Sequence, residues 1–354
     1  MVRHSTPRER GSPGLESAGI RWAAARSAAP QLPRSRPVRP LVGHTKDVRA
    51  VAYCPDGRLV SGGSDRTVRI WDAPAGACVR TIKAGTPVYA VAASPTDPVI
   101  AFAGRHPGAT ARATPIQTFR LADDVADYTF RCPYRPAPPG YEPYYPTGIP
   151  RSVWSLSYSA DGRTLAAAGR VMGGGGVPNG GGGHWFRTAD ASAHGPLAAD
   201  RAFALGFAPA GDGLAVTGDA TVAFYADPQS PEPVVAYPLQ SQWAAAVAFV
   251  PGAPTAVVGV NSALYFVNAT AKQKPRKVKT GFRTVMAIAA PPDGRAVIVG
   301  GRPAGVEVYD PETGGLAVRY DFGLGGVNAV AVAPDGLTFA VAGDDGLAVY
   351  DWDG

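Results

Sequence analysis

An eight-residue window of small and apolar residues occurs seven times in this chain: VRAVAYCP at Val48, VYAVAASP at Val88, VWSLSYSA at Val153, AFALGFAP at Ala202, AAAVAFVP at Ala244, VMAIAAPP at Val285 and VNAVAVAP at Val327. Successive starts lie 40, 65, 49, 42, 41 and 42 residues apart. A repeat of this period constrains the fold more than any composition does, because a unit too small to bury its own apolar strand must stack on others of its kind. Each window reads as a strand buried on both faces and ended by a turn. The turns that follow include Asp56-Gly57, Asp161-Gly162, Asp293-Gly294 and Asp335-Gly336. There Asp caps its own turn and Gly accepts the positive φ that closes it.

A second apolar strand follows in the segments 58–63, 164–169, 214–218, 255–260, 295–301 and 337–343. A third ends on a bulky residue before Asp, as in Ile70-Trp71-Asp72, Val308-Tyr309-Asp310 and Val349-Tyr350-Asp351, and a more polar fourth closes the unit. Four strands in a period near 42 residues is the arithmetic of propeller blades. The expectation is an all-β chain: a seven-bladed β-propeller of four-stranded antiparallel blades. With 45% hydrophobic and 18% charged residues there is enough material for such a core, and 44 Gly and 35 Pro suit its many turns. No apolar run approaches the roughly 20 residues of a membrane-spanning helix, so no span is expected.

Gly43-His44, Pro55-Asp56-Gly57, Ser61-Gly62-Gly63-Ser64-Asp65 and Ile70-Trp71-Asp72 together resemble one near-complete WD40 repeat. The resemblance implies a β-propeller over about residues 38–354. It also implies a hydrogen-bonded structural tetrad of His44, Ser61, Asp65 and Trp71 in the first blade. The other blades lack a clear Gly-His, and their Trp position reads Arg120, Arg187, Tyr225, Val267, Tyr309 and Tyr350.

The chain stops at Gly354, just after a third strand, while Arg39-Pro40-Leu41 has the place in the period of a fourth strand with no blade of its own. Residues near 37–42 are therefore expected to complete the seventh blade and close the ring, removing an open sheet edge. This divides the chain into an Arg/Pro/Ala-rich arm, 1–36, expected to be disordered, and a propeller, 37–354. The arm lacks a secretory h-region, and its Arg-rich, acid-poor character also suits a transit peptide. Residues 1–40 carry 8 Arg and 2 Glu, which accounts for the whole net charge of +6 and leaves 26 basic and 26 acidic residues elsewhere. A neutral body does not steer itself towards a polyanion, so nucleic acid is not the expected partner. Three cysteines, Cys54, Cys78 and Cys132, without paired spacing suit a reducing compartment, and the expected location is the cytoplasm.

Function is sought where the copies differ. Segments 104–115 and 171–183 interrupt the second and third strands of blades two and three, and 133–150 links those blades. All three should emerge on one face, since blade-linking loops and second-to-third-strand loops leave the same edge of each sheet. The Pro/Tyr-rich linker offers Arg131, Tyr134, Arg135, Tyr141, Tyr144 and Tyr145 as candidate partner-binding residues, because Tyr and Arg give large contact area at small entropic cost. The Gly runs 173–176 and 180–183 lack the Gly-Lys-Ser/Thr ending of a phosphate loop and read as a hairpin extension. The segment 272–279 (KQKPRKVK) holds five basic residues on the turn and outer strand of blade five. It reads as an exposed strand whose charges discourage edge pairing, or as an anion patch.

His44 belongs to the tetrad, and His106, His184 and His194 show no metal-ligand spacing. No nucleophile elbow, Cys-x-x-Cys or haem motif occurs, so no catalytic residue, cofactor or metal is expected. The reading is a non-catalytic, monomeric interaction scaffold for a protein or peptide, docking on the face that carries the blade two and three insertions. Two alternatives stand beside it. One is a propeller enzyme with a site at the central channel mouth. The other is an anion or nucleic-acid binder acting through the arm and residues 272–279.

Overall fold

The computed structural model describes residues 39–105, 114–123, 125–132, 152–170, 181–189, 194–197, 202–218, 220–239 and 244–352. Within the compact unit Leu32–Gly354 the described residues form seven four-stranded antiparallel sheets and no helix, so none that could cross a membrane. The arm, 1–36, lies outside the described residues.

Blade one comprises Val48–Tyr53, Leu59–Gly63, Thr67–Asp72 and Ala77–Lys83, from inner to outer strand. Blade two comprises Val88–Ala93, Val99–Gly104, Thr114–Arg120 and Val125–Cys132. Blade three comprises Ser152–Tyr158, Thr164–Arg170, Gly181–Arg187 and His194–Pro196. Blade four comprises Ala204–Phe207, Leu214–Gly218, Thr221–Tyr225 and Val235–Pro238. Blade five comprises Ala244–Phe249, Thr255–Val260, Ala263–Asn268 and Arg276–Lys279. Blade six comprises Thr284–Ala289, Val297–Arg302, Val306–Tyr309 and Leu316–Tyr320. Blade seven takes Val327–Val332, Thr338–Gly343 and Gly346–Asp351 from the end of the chain and Arg39–Pro40 from its beginning.

Each inner strand packs on the inner strands of both neighbours, and that of blade seven meets that of blade one, which closes a seven-bladed propeller. In the last sheet Arg39 lies opposite Val349 and Pro40 opposite Ala348, and the Leu41 amide donates to the Leu347 carbonyl at 2.9 Å. Proline is tolerable there because the strand is outermost and its missing N–H faces away from the sheet. Leu41 is buried in one cluster with Trp71, Leu347 and Val349, so the junction is also an apolar contact.

The Asp-Gly turns have the chemistry that their sequence anticipates. Asp56, Asp161, Asp293 and Asp335 each accept the amide two residues on, at 2.9–3.1 Å. Gly57, Gly162, Gly294 and Gly336 take φ between 67° and 85°.

Blades interlock by size. A small residue on each second strand receives the residue that leads the next blade's inner-strand window. A methyl group placed on Gly62, Gly259 or Gly300 would sit 2.4 Å from Val88, Val285 or Val327 respectively. The corresponding pairs Ala103 and Val153, Ala168 and Ala202, and Ala342 and Val48 share buried clusters. In blade four the socket is instead filled by Thr217 and the incoming residue shrinks to Ala244, whose carbonyl accepts from the Thr217 hydroxyl at 3.0 Å. Interiors packed to crystal density demand such compensation.

Strand register corrects the Trp position in two blades. Trp71 lies opposite Leu59 at the base of its sheet, and the same register place holds Phe119 in blade two and Phe186 in blade three. Arg120 and Arg187, one residue further on, are displaced towards solvent, and Arg120 pairs with Asp123 and Asp127. A one-residue shift exchanges core and solvent faces, and burial of an aromatic in place of a guanidinium decides it. Tyr225, Val267, Tyr309 and Tyr350 occupy the place as read, all buried. Blade six adds a polar node: fully buried Glu307 accepts from the Gly281 amide at 3.0 Å, the Tyr309 hydroxyl at 2.5 Å and the Arg319 guanidinium.

Candidate functional site

In blade one a single chain of hydrogen bonds links the second and third strands to the segment before the blade and to the turn that follows the second strand. The Trp71 indole N–H donates to Ser61 Oγ at 2.8 Å, Ser61 Oγ lies 2.7 Å from His44 Nε2, and His44 Nδ1 lies 2.9 Å from Asp65 Oδ2. Indole can only donate and carboxylate can only accept, so a neutral imidazole satisfies the whole chain, with Trp71 donating to Ser61, Ser61 to His44 and His44 to Asp65. Burial lowers the His44 pKa from its usual 6.5, outweighing the hydrogen bond and charge of Asp65. Burial works to raise Asp65, but hydrogen bonds from Thr67 and His44 hold it below its ordinary value. The register place of Ser61 holds Phe102, Ala167, Val216, Val258, Val299 and Val341 in the other blades, so this hydroxyl relay belongs to blade one.

A pH dependence follows. Because the folded state keeps His44 neutral, its contribution is complete above the unfolded value of 6.5 and declines as pH falls below it. We expect His44→Gln to cost about 1 kcal/mol at pH 7.5, the worth of an ordinary hydrogen bond. The gap between variant and wild-type melting temperatures should narrow steadily from pH 6.5 to pH 5. A gap that widens on acidification would mean that His44 is charged in the fold.

The face that bears the blade linkers and the second-to-third-strand loops is the richer surface. In six blades the inner strand slips by one residue against its partner, between Val48 and Ala50, Val88 and Ala90, Val153 and Ser155, Ala244 and Ala246, Val285 and Ala287, and Val327 and Ala329. Such bulges re-aim the skipped side chain. The skipped residues, Arg49, Tyr89, Trp154, Ala245, Met286 and Asn328, stand at the linker-face ends of the innermost strands and so ring the channel mouth.

That ring has two unlike sectors. Around blades six, seven and one it is tied down. Asn328 donates to the Val48 carbonyl at 3.0 Å, and Arg302 donates to Asn328 Oδ1 at 2.8 Å and to both Asp344 oxygens at 2.7 and 2.8 Å. The Arg302 bonds hold Asp344 below its usual pKa. Arg49 is engaged by Asp47 and by Ser64. Around blades two and three the ring is aromatic: Tyr89 and Trp154 approach to 5.2 Å between ring centroids at 37°. Trp154 is 44% exposed although both its chain neighbours are mostly buried in the inner strand.

The three interrupted connections anchor beside this aromatic pair. The second strand of blade two ends at Gly104, Arg105 bridges Ser152 at the start of blade three, and the Arg105 amide donates to the Pro87 carbonyl at 3.0 Å. Two of the expected insertions are shorter than read, since Thr114 and Pro115 belong to a strand of blade two and Gly181–Arg187 is the third strand of blade three. Gly183 allows close approach of Leu197, which a methyl group there would meet at 2.5 Å. Arg131 lies on the outer strand of blade two, whereas Tyr134, Arg135, Tyr141, Tyr144 and Tyr145 lie outside the described residues. His184 is buried against Phe186, His194 is on the outer strand of blade three, and His106 lies outside the described residues. Burial pushes the Cys54 thiol up to about 12, which makes it a poor nucleophile. Tyr89 and Trp154 went unread in the sequence, although both occupy the second place of the repeated window, where the other copies read Arg, Phe, Ala, Met and Asn.

Comparison with known proteins adds family information to this geometry. The family model for the WD domain, G-beta repeat, matches residues 35–72. Curated relatives include the ribosome biogenesis protein BOP1 homologs of Drosophila mojavensis and Drosophila melanogaster, each 41% identical over 75 residues. The match takes in 19% of this chain and 10% of either relative, so the chain spans about a tenth of their length.

Proposed function

Because the chain is a WD40-repeat β-propeller, we propose that it is a non-catalytic scaffold that docks a protein or peptide on its linker face, across the aromatic sector of the channel mouth. The observation that carries this reading is Trp154, a large aromatic side chain 44% exposed next to fully buried Val153 and tilted against Tyr89. Exposed aromatics that are rigidly mounted supply most of the energy at protein interfaces, because they bury area without losing many rotamers. The opposite sector, with Arg302, Asn328 and Asp344 bonded to one another and Arg49 bonded to Asp47 and Ser64, is already satisfied and offers a partner less. The described strands that flank the interrupted connections of blades two and three end around the same pair. The ribosome-biogenesis relatives share too short a stretch to lend this chain their assembly, and the proposal stops at the class of partner.

Quantitative affinity capture tests the reading. The joint variant Tyr89→Ala/Trp154→Ala should lose about thirtyfold in affinity for the partners that the intact chain retains, the worth of a 2 kcal/mol hot spot. Its melting temperature should stay within a few degrees of the parent. A chain lacking 133–150 should lose the same partners. Undiminished capture by both variants would refute the proposal.

A further inference from the structure

The body of the chain is neutral in total but not in distribution. No Asp or Glu occurs between Glu232 and Asp293, whereas that interval contains Lys272, Lys274, Arg276, Lys277, Lys279 and Arg283. Blade five, from Ala244 to Lys279, is thus free of carboxylates. Removing these six cations from the 26 basic residues beyond position 40 leaves 26 − 6 = 20 against 26 acidic, so the rest of the body is net negative.

Structure puts most of this charge on the rim. Arg276–Lys279 is the outermost strand of its sheet, hydrogen-bonded on one side only, to Ala263–Asn268. Lys272, Lys274 and Lys279 are exposed, and none has a hydrogen-bond or ion-pair partner among the described residues. Arg276 is committed otherwise. It lies 4.5 Å over the Phe266 ring and donates to the Pro311 and Glu312 carbonyls of blade six, which clasps the two blades without a carboxylate. The other rim strands differ. Ala77–Lys83 has two cations, Val125–Cys132 has both signs, His194–Pro196 and Val235–Pro238 have no charge, and in Leu316–Tyr320 Arg319 is bound to Glu307.

We propose that the rim of blade five docks an extended acidic segment of a partner protein, added as a strand beside Arg276–Lys279 with its carboxylates on Lys272, Lys274, Lys277 and Lys279. Lysines on an open edge repel a second copy of the same strand. Keeping like strands apart does not require the whole blade to lack carboxylates, whereas a strand with acidic residues at every second position turns the repulsion into attraction. The surface suits an acidic peptide better than a nucleic acid. Bases would need aromatic platforms, but Tyr265 and Phe266 are buried beneath Lys277, at 5.4 Å, and Arg276. A long phosphate chain would also run off one blade onto a net-negative body, while a short acidic strand stays within it. This surface is separate from the aromatic mouth, and either can fail without the other.

The test uses the full chain and a fluorescein-labelled decapeptide of alternating Glu and Thr, read by anisotropy. Binding should weaken as salt rises. It should fall at least tenfold in Lys272→Glu/Lys274→Glu/Lys279→Glu, whose exposed substitutions should leave the melting temperature within a few degrees of the parent. The corresponding triple Gln variant should fall between. A labelled oligouridine of twelve nucleotides should bind at least tenfold more weakly than the peptide. Equal or tighter oligouridine binding, no peptide binding by the parent, or peptide binding indifferent to charge reversal would each overturn the proposal.

Discussion

Gly62→Val is expected to destabilise the propeller by about 3 kcal/mol, the upper end of the cost of overfilling a packed interior. The added side chain would begin 2.4 Å from Val88 Cγ1, and Val88 leads an inner strand held by blades one and two together, so it has no direction in which to retreat. Val88→Ala in the same chain should recover at least about 1 kcal/mol of the loss, because residues in contact couple by about 0.5–3 kcal/mol. Blade four supplies the natural precedent, with Thr217 as the larger socket residue and Ala244 as the smaller incoming one. Thermal denaturation of the two single variants and the double variant measures the coupling. Strictly additive losses would show that the blades do not interlock by paired size.

The second large effect concerns closure of the ring. A chain beginning at Val42 lacks Arg39, Pro40 and Leu41, which leaves the last sheet three-stranded and uncovers the Leu347 carbonyl and an apolar patch beside Trp71. Loss of a buried leucine alone costs about 2–5 kcal/mol. At roughly 2–4 °C per kcal/mol for a domain somewhat smaller than this one, the melting temperature should fall by about 10 °C. A chain beginning at Leu32 should melt with the parent. If both truncations melt alike, the first strand contributes nothing to closure.

Much of the architecture is legible in the amino-acid sequence, and for identifiable reasons. The seven windows are recognisable because a strand buried on both faces must be apolar throughout, and the Asp-Gly turns because few residues tolerate the φ of Gly57 or Gly336. The relay in blade one was readable because Gly43-His44, Ser61, Asp65 and Ile70-Trp71-Asp72 resemble a WD40 repeat, and the resemblance implies the tetrad. The candidate site was less legible. The unusual segments stand out in the sequence, whereas Tyr89 and Trp154 sit inside the regular windows, where an aromatic residue reads as core. Only the bulge at that position turns them out to solvent.

The amino-acid order by itself determined the period, the number of strands per unit, the turns that separate them and the relay of the first blade. All of these depend on residues close together in the chain, through backbone conformation and local hydrogen bonding. Tertiary structure alone decided that Phe119 and Phe186 rather than Arg120 and Arg187 line the core. It also decided that Glu307 is buried among Gly281, Tyr309 and Arg319, and that Gly62, Gly259 and Gly300 are sockets for the following blade. Register and inter-blade fit join residues distant in sequence, and a shift of one position reverses which side chain meets water. Their selection rests on the packing of the whole ring, which no single repeat contains.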